Sequence, residues 1–304
     1  MKARATDYEL VSPATLAGVL ALMASEPGQW TPIAGGTELM VQFGAGHLRA
    51  RKLVNLFGLP ELQGIAQTEH GVRIGAGTTY TSLRRSPIIA QSFPLLATAA
   101  AWTGSIANQN RGTLGGNLVN GSPAADSPPA LLAYDAHLEL VSQRGTRQIT
   151  RRIAYADFHT GYKTNALAPD ELVHAIHLPT HTANVQYLRK VGPRNAQAIS
   201  KVALGAVAST QSGRLTGVRI GLASVSFAPF RCLNTEAFLE GLALGNQPAN
   251  QLAAHRAARE TLLAEIAPLD DIRSTGAYRA HVAANLLEEF LAQAAAPNSP
   301  QARP

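Results

Sequence analysis

Apolar residues at Leu16, Val19, Leu20 and Met23 recur at helical spacing, and Ser12 followed by Pro13 reads as an N-cap and first-turn proline ahead of them. An extended apolar run, WTPIA, follows and ends at Gly35 and Gly36, with Thr37 reading as the cap of a short helix. KLVNL and VRIGAG have strand character, Val72 and Ile74 alternating with polar positions, and PELQGI between them reads as a short turn. From Thr81 to Trp102 the pattern predicts two helical pieces broken before Pro94. AHLELVS and RQITR predict a hairpin turning at Arg144 and Gly145, and ELVHAIHLP a strand closed by Pro179. Beyond the polar segment 180–184, VQYLRKV, KVALGAVAST and LTGVRIGLASV predict three strands separated by glycine-containing turns. Helices are expected around NTEAFLEGL, from Gln251 to Ile266 and from Tyr278 to Ala295, with a mobile tail APNSPQARP. This mixed order predicts an α+β chain with a separate C-terminal layer of strands and helices.

The pattern is interrupted between Asn108 and Pro129, NQNRGTLGGNLVNGSPAADSPP. Glycines at 112, 115, 116 and 121 and prolines at 123, 128 and 129 predict a long ordered loop, not a helix interior or central strand. Paired glycines let backbone amides approach a ligand, with Thr113, Asn117 and Asp126 adding polar groups, and the natural guest of such amides is a phosphate. With the Gly35–Gly36 turn as a second such element, a diphosphate held from two sides is one reading. Ordinary tight turns account for the spacing equally well.

Composition narrows the choices. The chain has 304 residues, 46% hydrophobic and 15% charged, as in a globular protein large enough for two domains. No run reaches the length of a membrane helix, and MKARATDYEL lacks the apolar segment of a signal peptide, so a cytoplasmic address is expected, or a periplasmic one if an exported partner carries the chain. Cys232 is the single cysteine, which excludes an internal disulfide, a cysteine-ligated iron–sulfur cluster and a four-cysteine zinc site within the chain. A formal charge of +6 from scattered basic residues fits a solvated surface or attraction to an anion or acidic partner, and no motif for nucleic acid accompanies it. His174, His177 and His181 are not expected to form a metal site, because a three-residue offset on a strand reverses the face and no carboxylate completes the set. Cys232 reads as a packed small residue, and Asp270, Asp271 and Arg273 as a capped helix start with local ion pairing.

AGGTEL, NRGTLGGNLVNGSPAADSPPALLA, GYKTNALAPDEL, RKVGPRNAQAISKV and DDIRSTGAYR together, in that order, resemble the FAD-binding medium subunit of molybdenum hydroxylases, the family of xanthine dehydrogenase, carbon monoxide dehydrogenase and aldehyde oxidoreductases. The likeness runs from about Asp7 to Leu291. It implies a vanillyl-alcohol-oxidase-type FAD-binding fold of two α+β subdomains, residues 1–57 and 58–179, followed by a C-terminal domain of antiparallel strands backed by helices, 180–295, and a tail, 296–304. The absence of a GxGxxG fingerprint after the first strand agrees with a non-Rossmann fold.

The resemblance also implies residue roles. Ile33, Ala34, Gly35, Gly36, Thr37, Glu38 and Leu39 form the pyrophosphate loop, and Thr113, Leu114, Gly115, Gly116 and Asn117 the second loop, with Asp126 at a polar edge of the cofactor. Leu172 or Val173, Thr103 and Lys190 are expected at the ring system, Lys190 favouring its anionic reduced form. Glu38 is expected near ribose or solvent, and no proton-transfer residue is assigned. Gln109 stands where many relatives have Arg, His159 where they have an aromatic, and GYKTN where GYRKT is commoner. The implied function is electron transfer: a molybdopterin-binding large subunit hydroxylates the substrate, a small subunit with [2Fe-2S] clusters passes electrons to FAD on this chain, and NAD+, oxygen or another acceptor takes them, most naturally within a heterotrimer. A stand-alone FAD-dependent oxidoreductase and an assembly subunit without flavin are the rival readings.

Overall fold

A computed structural model describes residues 4–194, 197–244 and 248–296. Among the described residues, three sheets of three or more strands follow one another along the chain, with a separate two-stranded hairpin. The first is parallel, built from β1 (Glu9–Val11), α1 (Leu16–Ser25), β2 (Trp30–Ile33), α2 (Leu39–Gly44) and β3 (Lys52–Asn55), with strand order β1-β3-β2. Leu16, Val19, Leu20 and Met23 bury the expected face of α1 against Trp30 and Val54, and the same cluster takes in Val141 and Leu172 of the next sheet. Helix α1 is thus the wedge joining the two. Its cap is Thr15 and not Ser12: Thr15 Oγ1 accepts from the Gly18 amide at 3.2 Å. Thr37 does not cap α2 either, whose N-cap is Glu38, without a side-chain cap bond.

The second part runs through β4 (Ile65–Thr68), β5 (Gly71–Gly75), α3 (Tyr80–Arg85), α4 (Pro87–Ser92), α5 (Pro94–Trp102), α6 (Ile106–Arg111), α7 (Leu114–Asn120), α8 (Pro128–Ala133), β6 (His137–Arg144), β7 (Arg147–Ala154), the small hairpin β8 (His159–Gly161) and β9 (Thr164–Asn165), and β10 (Leu172–Pro179). Its antiparallel sheet has the order β4-β5-β10-β6-β7 and packs Val72, Ile74, Leu138, Leu140 and Ile176 against the helices. Two sequence expectations fail here. Thr81–Trp102 holds parts of three helices, because Ser86 caps α4 and Pro87 occupies its first turn before Pro94 opens α5. The stretch from Asn108 to Pro129 is largely helical: Thr113 caps α7, Leu114 and Leu118 are buried, and Gly121 ends it at φ +62° in the left-handed region.

The third part comprises β11 (Val185–Val191), β12 (Val202–Gln211), β13 (Arg214–Ala223), β14 (Phe230–Arg231), α9 (Leu233–Leu239), α10 (Pro248–Glu265) and α11 (Gly276–Ala295). Its antiparallel sheet, in sequential order, is backed by the helices through Leu204, Ala206, Ile220, Leu262, Leu287 and Phe290, the expected layer. The opposite face lies on α8, where glycine is required: a Cβ on Gly205 or Gly221 would come within 2.8 or 2.6 Å of the Pro129 carbonyl oxygen. Tyr134 reinforces that seam, accepting from the Leu95 amide at 3.0 Å and donating to Gln186 Oε1 at 2.6 Å. The close approach sets β11 beside the segment that carries Asp126. No described helix is long and apolar enough to cross a membrane, and the expected tail from 297 onward lies outside the described residues.

Candidate functional site

A cavity of about 1390 Å³ runs between the three parts. Its walls include Ile33, Ala34, Gly35, Gly36, Thr37, Glu38 and Leu39 from the β2–α2 turn, and Thr103, Thr113, Gly115, Gly116, Asn117 and Asp126 from the helical segment. Leu172 and Val173 of β10 complete the wall. Two of the residues singled out from the sequence are placed otherwise. Leu114 is fully buried in the core of the second part. Lys190 stands behind the wall, its Nζ 2.8 Å from Asp126 Oδ2 and 3.4 Å from the Trp102 carbonyl oxygen.

The two glycine turns differ in what their amides do. Among the described residues, the amides of Gly35, Gly36, Thr37 and Glu38 have no acceptor in the protein. The second turn was expected to present amides too, but they are taken: Leu114 and Gly115 donate to the carbonyls of Thr78 and Ala76, Gly116 to Thr113 Oγ1, and Asn117 to the Thr113 carbonyl. Thr113 keeps its hydroxyl proton, and Asn117, whose Oδ1 accepts from Ser127 Oγ at 3.0 Å, keeps its amide hydrogens. Half of the glycines serve packing. A Cβ on Gly35 would meet the Arg111 carbonyl oxygen at 1.8 Å, and one on Gly115 would meet Ala76 Cβ at 2.6 Å, so these contacts between chain segments exclude any side chain. Gly36 instead needs its φ of +75°.

Asp126 is the electrostatic centre of the wall. Its side chain is 11% exposed, Oδ2 is paired with Lys190, and Oδ1 has no partner although it is buried. Burial pushes its carboxyl up to about 6, against the pull of the Lys190 ammonium. A buried acceptor left open in this way suits a ligand N–H or O–H.

Several lining residues were not singled out from the sequence as site residues. Tyr162 and Lys163 project from the β8–β9 hairpin, Lys163 at φ +53°, and Phe227, Asp270, Asp271, Arg273 and Arg279 line the end formed by the third part. GYKTN and DDIRST were visible as motifs, but only the tertiary fold brings them to the cavity. Asp271 does make local ion pairs as expected, with Arg273 at 3.0 Å, and also reaches buried Arg279 at 2.7 Å. Burial opposes its ionisation, yet hydrogen bonds from the Arg273 amide and from the Arg273 and Arg279 guanidiniums bring its carboxyl down to about 2. The expectation that His174 and His177 lie on opposite faces fails: a bulge between Val173 and Ala175 brings both onto Glu139, at 2.7 and 2.9 Å. His181 instead accompanies Tyr134 and Phe93, with a nitrogen 2.8 Å from the Ser92 carbonyl oxygen. Cys232 is buried as expected.

Comparison with known proteins places this arrangement of sheets, cavity and glycine turn in a class of flavoprotein. Residues 6–181 match the family described as the FAD binding domain in molybdopterin dehydrogenase, and residues 187–294 the CO dehydrogenase flavoprotein C-terminal domain. The chain belongs to this family and is an oxidoreductase subunit. It is 32% identical over 288 residues to the putative xanthine dehydrogenase FAD-binding subunit XdhB of Escherichia coli K12, covering 93% of this chain and 94% of that one. It is 26% identical to the carbon monoxide dehydrogenase medium chain of Hydrogenophaga pseudoflava, with 93% and 96% covered. Among solved structures, carbon monoxide dehydrogenase from Hydrogenophaga pseudoflava superposes with a TM-score of 0.86 at 26% identity, over 94% of this chain and 96% of that one. Quinoline 2-oxidoreductase from Pseudomonas putida 86 gives 0.85 at 25% identity, over 97% and 98%.

Proposed function

We propose that this chain is the flavin-carrying electron-transfer subunit of a molybdenum-containing hydroxylase, receiving electrons from [2Fe-2S] clusters on a small partner subunit and delivering them to NAD+, oxygen or another acceptor. A molybdopterin-binding large subunit selects the substrate in this reading. The observation that carries it is one cavity combining unbonded amides at Gly35, Gly36, Thr37 and Glu38 with the unpaired, buried Oδ1 of Asp126. The residues fit FAD: four amides supply donors for a diphosphate, and Asp126 supplies an acceptor for a polar ring edge. Bound there, FAD supplies a group that takes up two electrons and releases them singly or as a pair.

The chain's own residues hold and tune it. Gly35, Gly36, Thr37 and Glu38 donate backbone hydrogens, and the Thr113 hydroxyl and Asn117 amide add side-chain donors from the second turn. Lys190, Nζ 2.8 Å from Asp126 Oδ2, stands behind the wall and holds Asp126 in place. Leu172, Val173 and Thr103 form an apolar and weakly polar wall that excludes water. Catalysis by proton transfer is not asked of any of them.

The test is to purify the complex and assay its cofactors. The chain should arrive yellow, release one FAD per polypeptide on denaturation, and co-purify with molybdenum and iron held by other polypeptides. A colourless complex that releases no flavin would overturn the reading.

A further inference from the structure

We propose that Lys163 is the cation that meets the diphosphate of the cofactor, an inference that rests on the FAD assignment above. Among the described residues, three cationic side chains line the cavity, Lys163, Arg273 and Arg279. The two arginines are already committed to Asp271, at 3.0 and 2.7 Å, and Arg279 also donates to the Lys201 and Ser224 carbonyls. Lys163 is not committed in this way. Its ion pair is a long 3.9 Å contact with Glu38 Oε1, both side chains are nearly half exposed (43% and 45%), and Gln42 Nε2 already donates to that oxygen at 3.1 Å.

The backbone holds Lys163 where this matters. Asn165 Nδ2 donates to the Val119 carbonyl, and the left-handed Gly121 lies so close that a Cβ there would sit 3.2 Å from Lys163 Cα, so the β8–β9 hairpin is docked on the end of α7. From that base the ammonium reaches over to Glu38, the last residue of the turn with unbonded amides. Those amides offer only partial charges to a dianion, and the carboxylate of Glu38 beside them opposes it. Lys163 offsets Glu38 and, loosely paired, can swing to a phosphate oxygen. A charge-assisted bond of this kind at a half-exposed site corresponds to about five- to tenfold in affinity.

The experiment titrates the flavin-free full-length chain with FAD, and separately with riboflavin, which has no phosphate, at low and high salt. Lys163→Gln should weaken FAD about five- to tenfold and flatten its salt dependence, leave riboflavin unchanged, and be rescued by Lys163→Arg. Glu38→Gln should leave FAD binding as tight or tighter. Wild-type FAD affinity and salt dependence in Lys163→Gln would overturn the proposal while the FAD assignment stood. So would an equal loss in Glu38→Gln, which would make the pair a latch between the two parts. A wild-type chain that binds no FAD would sink the assignment itself and this proposal with it.

Discussion

At Asp126, burial and the neighbouring charge act in opposite directions, and burial prevails, raising the carboxyl from 3.8 to about 6. The folded flavin-free chain therefore holds a proton that the unfolded chain has lost between about pH 4 and pH 6, so folding is favoured on the acid side and stability falls as pH rises through 6. Asp126→Asn removes that slope: the stability of wild type relative to the variant should drop by on the order of 2–3 kcal/mol across this window. Urea melts at several pH values read it, and parallel curves for the two proteins would contradict it. Gly35 supplies a steric prediction. Gly35→Ala drives a Cβ into backbone at Arg111, with no flexible side-chain end to yield, and should cost more than about 3 kcal/mol of unfolding free energy, read from urea melts, or prevent folding. Gly44→Ala, with nothing within 4 Å, is the control and should be neutral or stabilising by up to about 1 kcal/mol. The sequence marks Gly35 for a ligand and says nothing of Gly44, so the packing of neither glycine is foreseen. What separates them is Arg111, a carbonyl brought up from far along the chain, which no local pattern reveals.

Helix α7 shows where local pattern reading reaches its limit. Two adjacent glycines each disfavour a helix by about 1 kcal/mol relative to alanine, which is why GTLGGNLVNG reads as a loop. Three features outweigh that: the Thr113 cap, the left-handed stop at Gly121, and the burial of Leu114 and Leu118. The cap was readable as Thr followed by an apolar residue, but the packing of Gly115 against Ala76 was not. The elements foreseen correctly, such as α11 and the β6–β7 hairpin, carry their signals locally: apolar residues at helical spacing in α11, and a glycine turn at Gly145 between β6 and β7. If the cap outweighs the glycine penalty, Thr113→Val should cost about 1 kcal/mol and chiefly loosen the first turn of α7. Hydrogen exchange at the Gly116 and Asn117 amides should accelerate in the variant, while that in the core strand β5 should not.

Over the whole molecule, the motifs announced a cofactor met from all three parts, but from the third part they pointed to Lys190, which stands behind the wall, and not to Phe227, Asp271 and Arg279, which line it. Ile33–Leu39 belongs to the first part, Thr103–Asp126 with Leu172 and Val173 to the second, and Phe227, Asp271 and Arg279 to the third. Polar contacts also join the parts: Leu16 N–H to Glu61 and Gly28 N–H to the Pro169 carbonyl between the first and second, and Tyr134 to Gln186, Lys190 to Asp126, Ser224 N–H to the Pro123 carbonyl and Arg231 to Asp135 at 2.5 Å between the second and third. A ligand that touches all three walls must be released before any of them separates, so FAD should stabilise the chain as a unit. At a hundredfold excess over the dissociation constant that amounts to about 2.7 kcal/mol, enough to raise the melting temperature by a few degrees in a chain of this size. Calorimetry of the flavin-free chain, with FAD added stepwise, should show one transition moving upward with the logarithm of ligand concentration. If only part of the heat absorption moves and the rest stays where it was, the third part does not share the site. Phe227, Asp271 and Arg279 then border the cavity without enclosing its ligand.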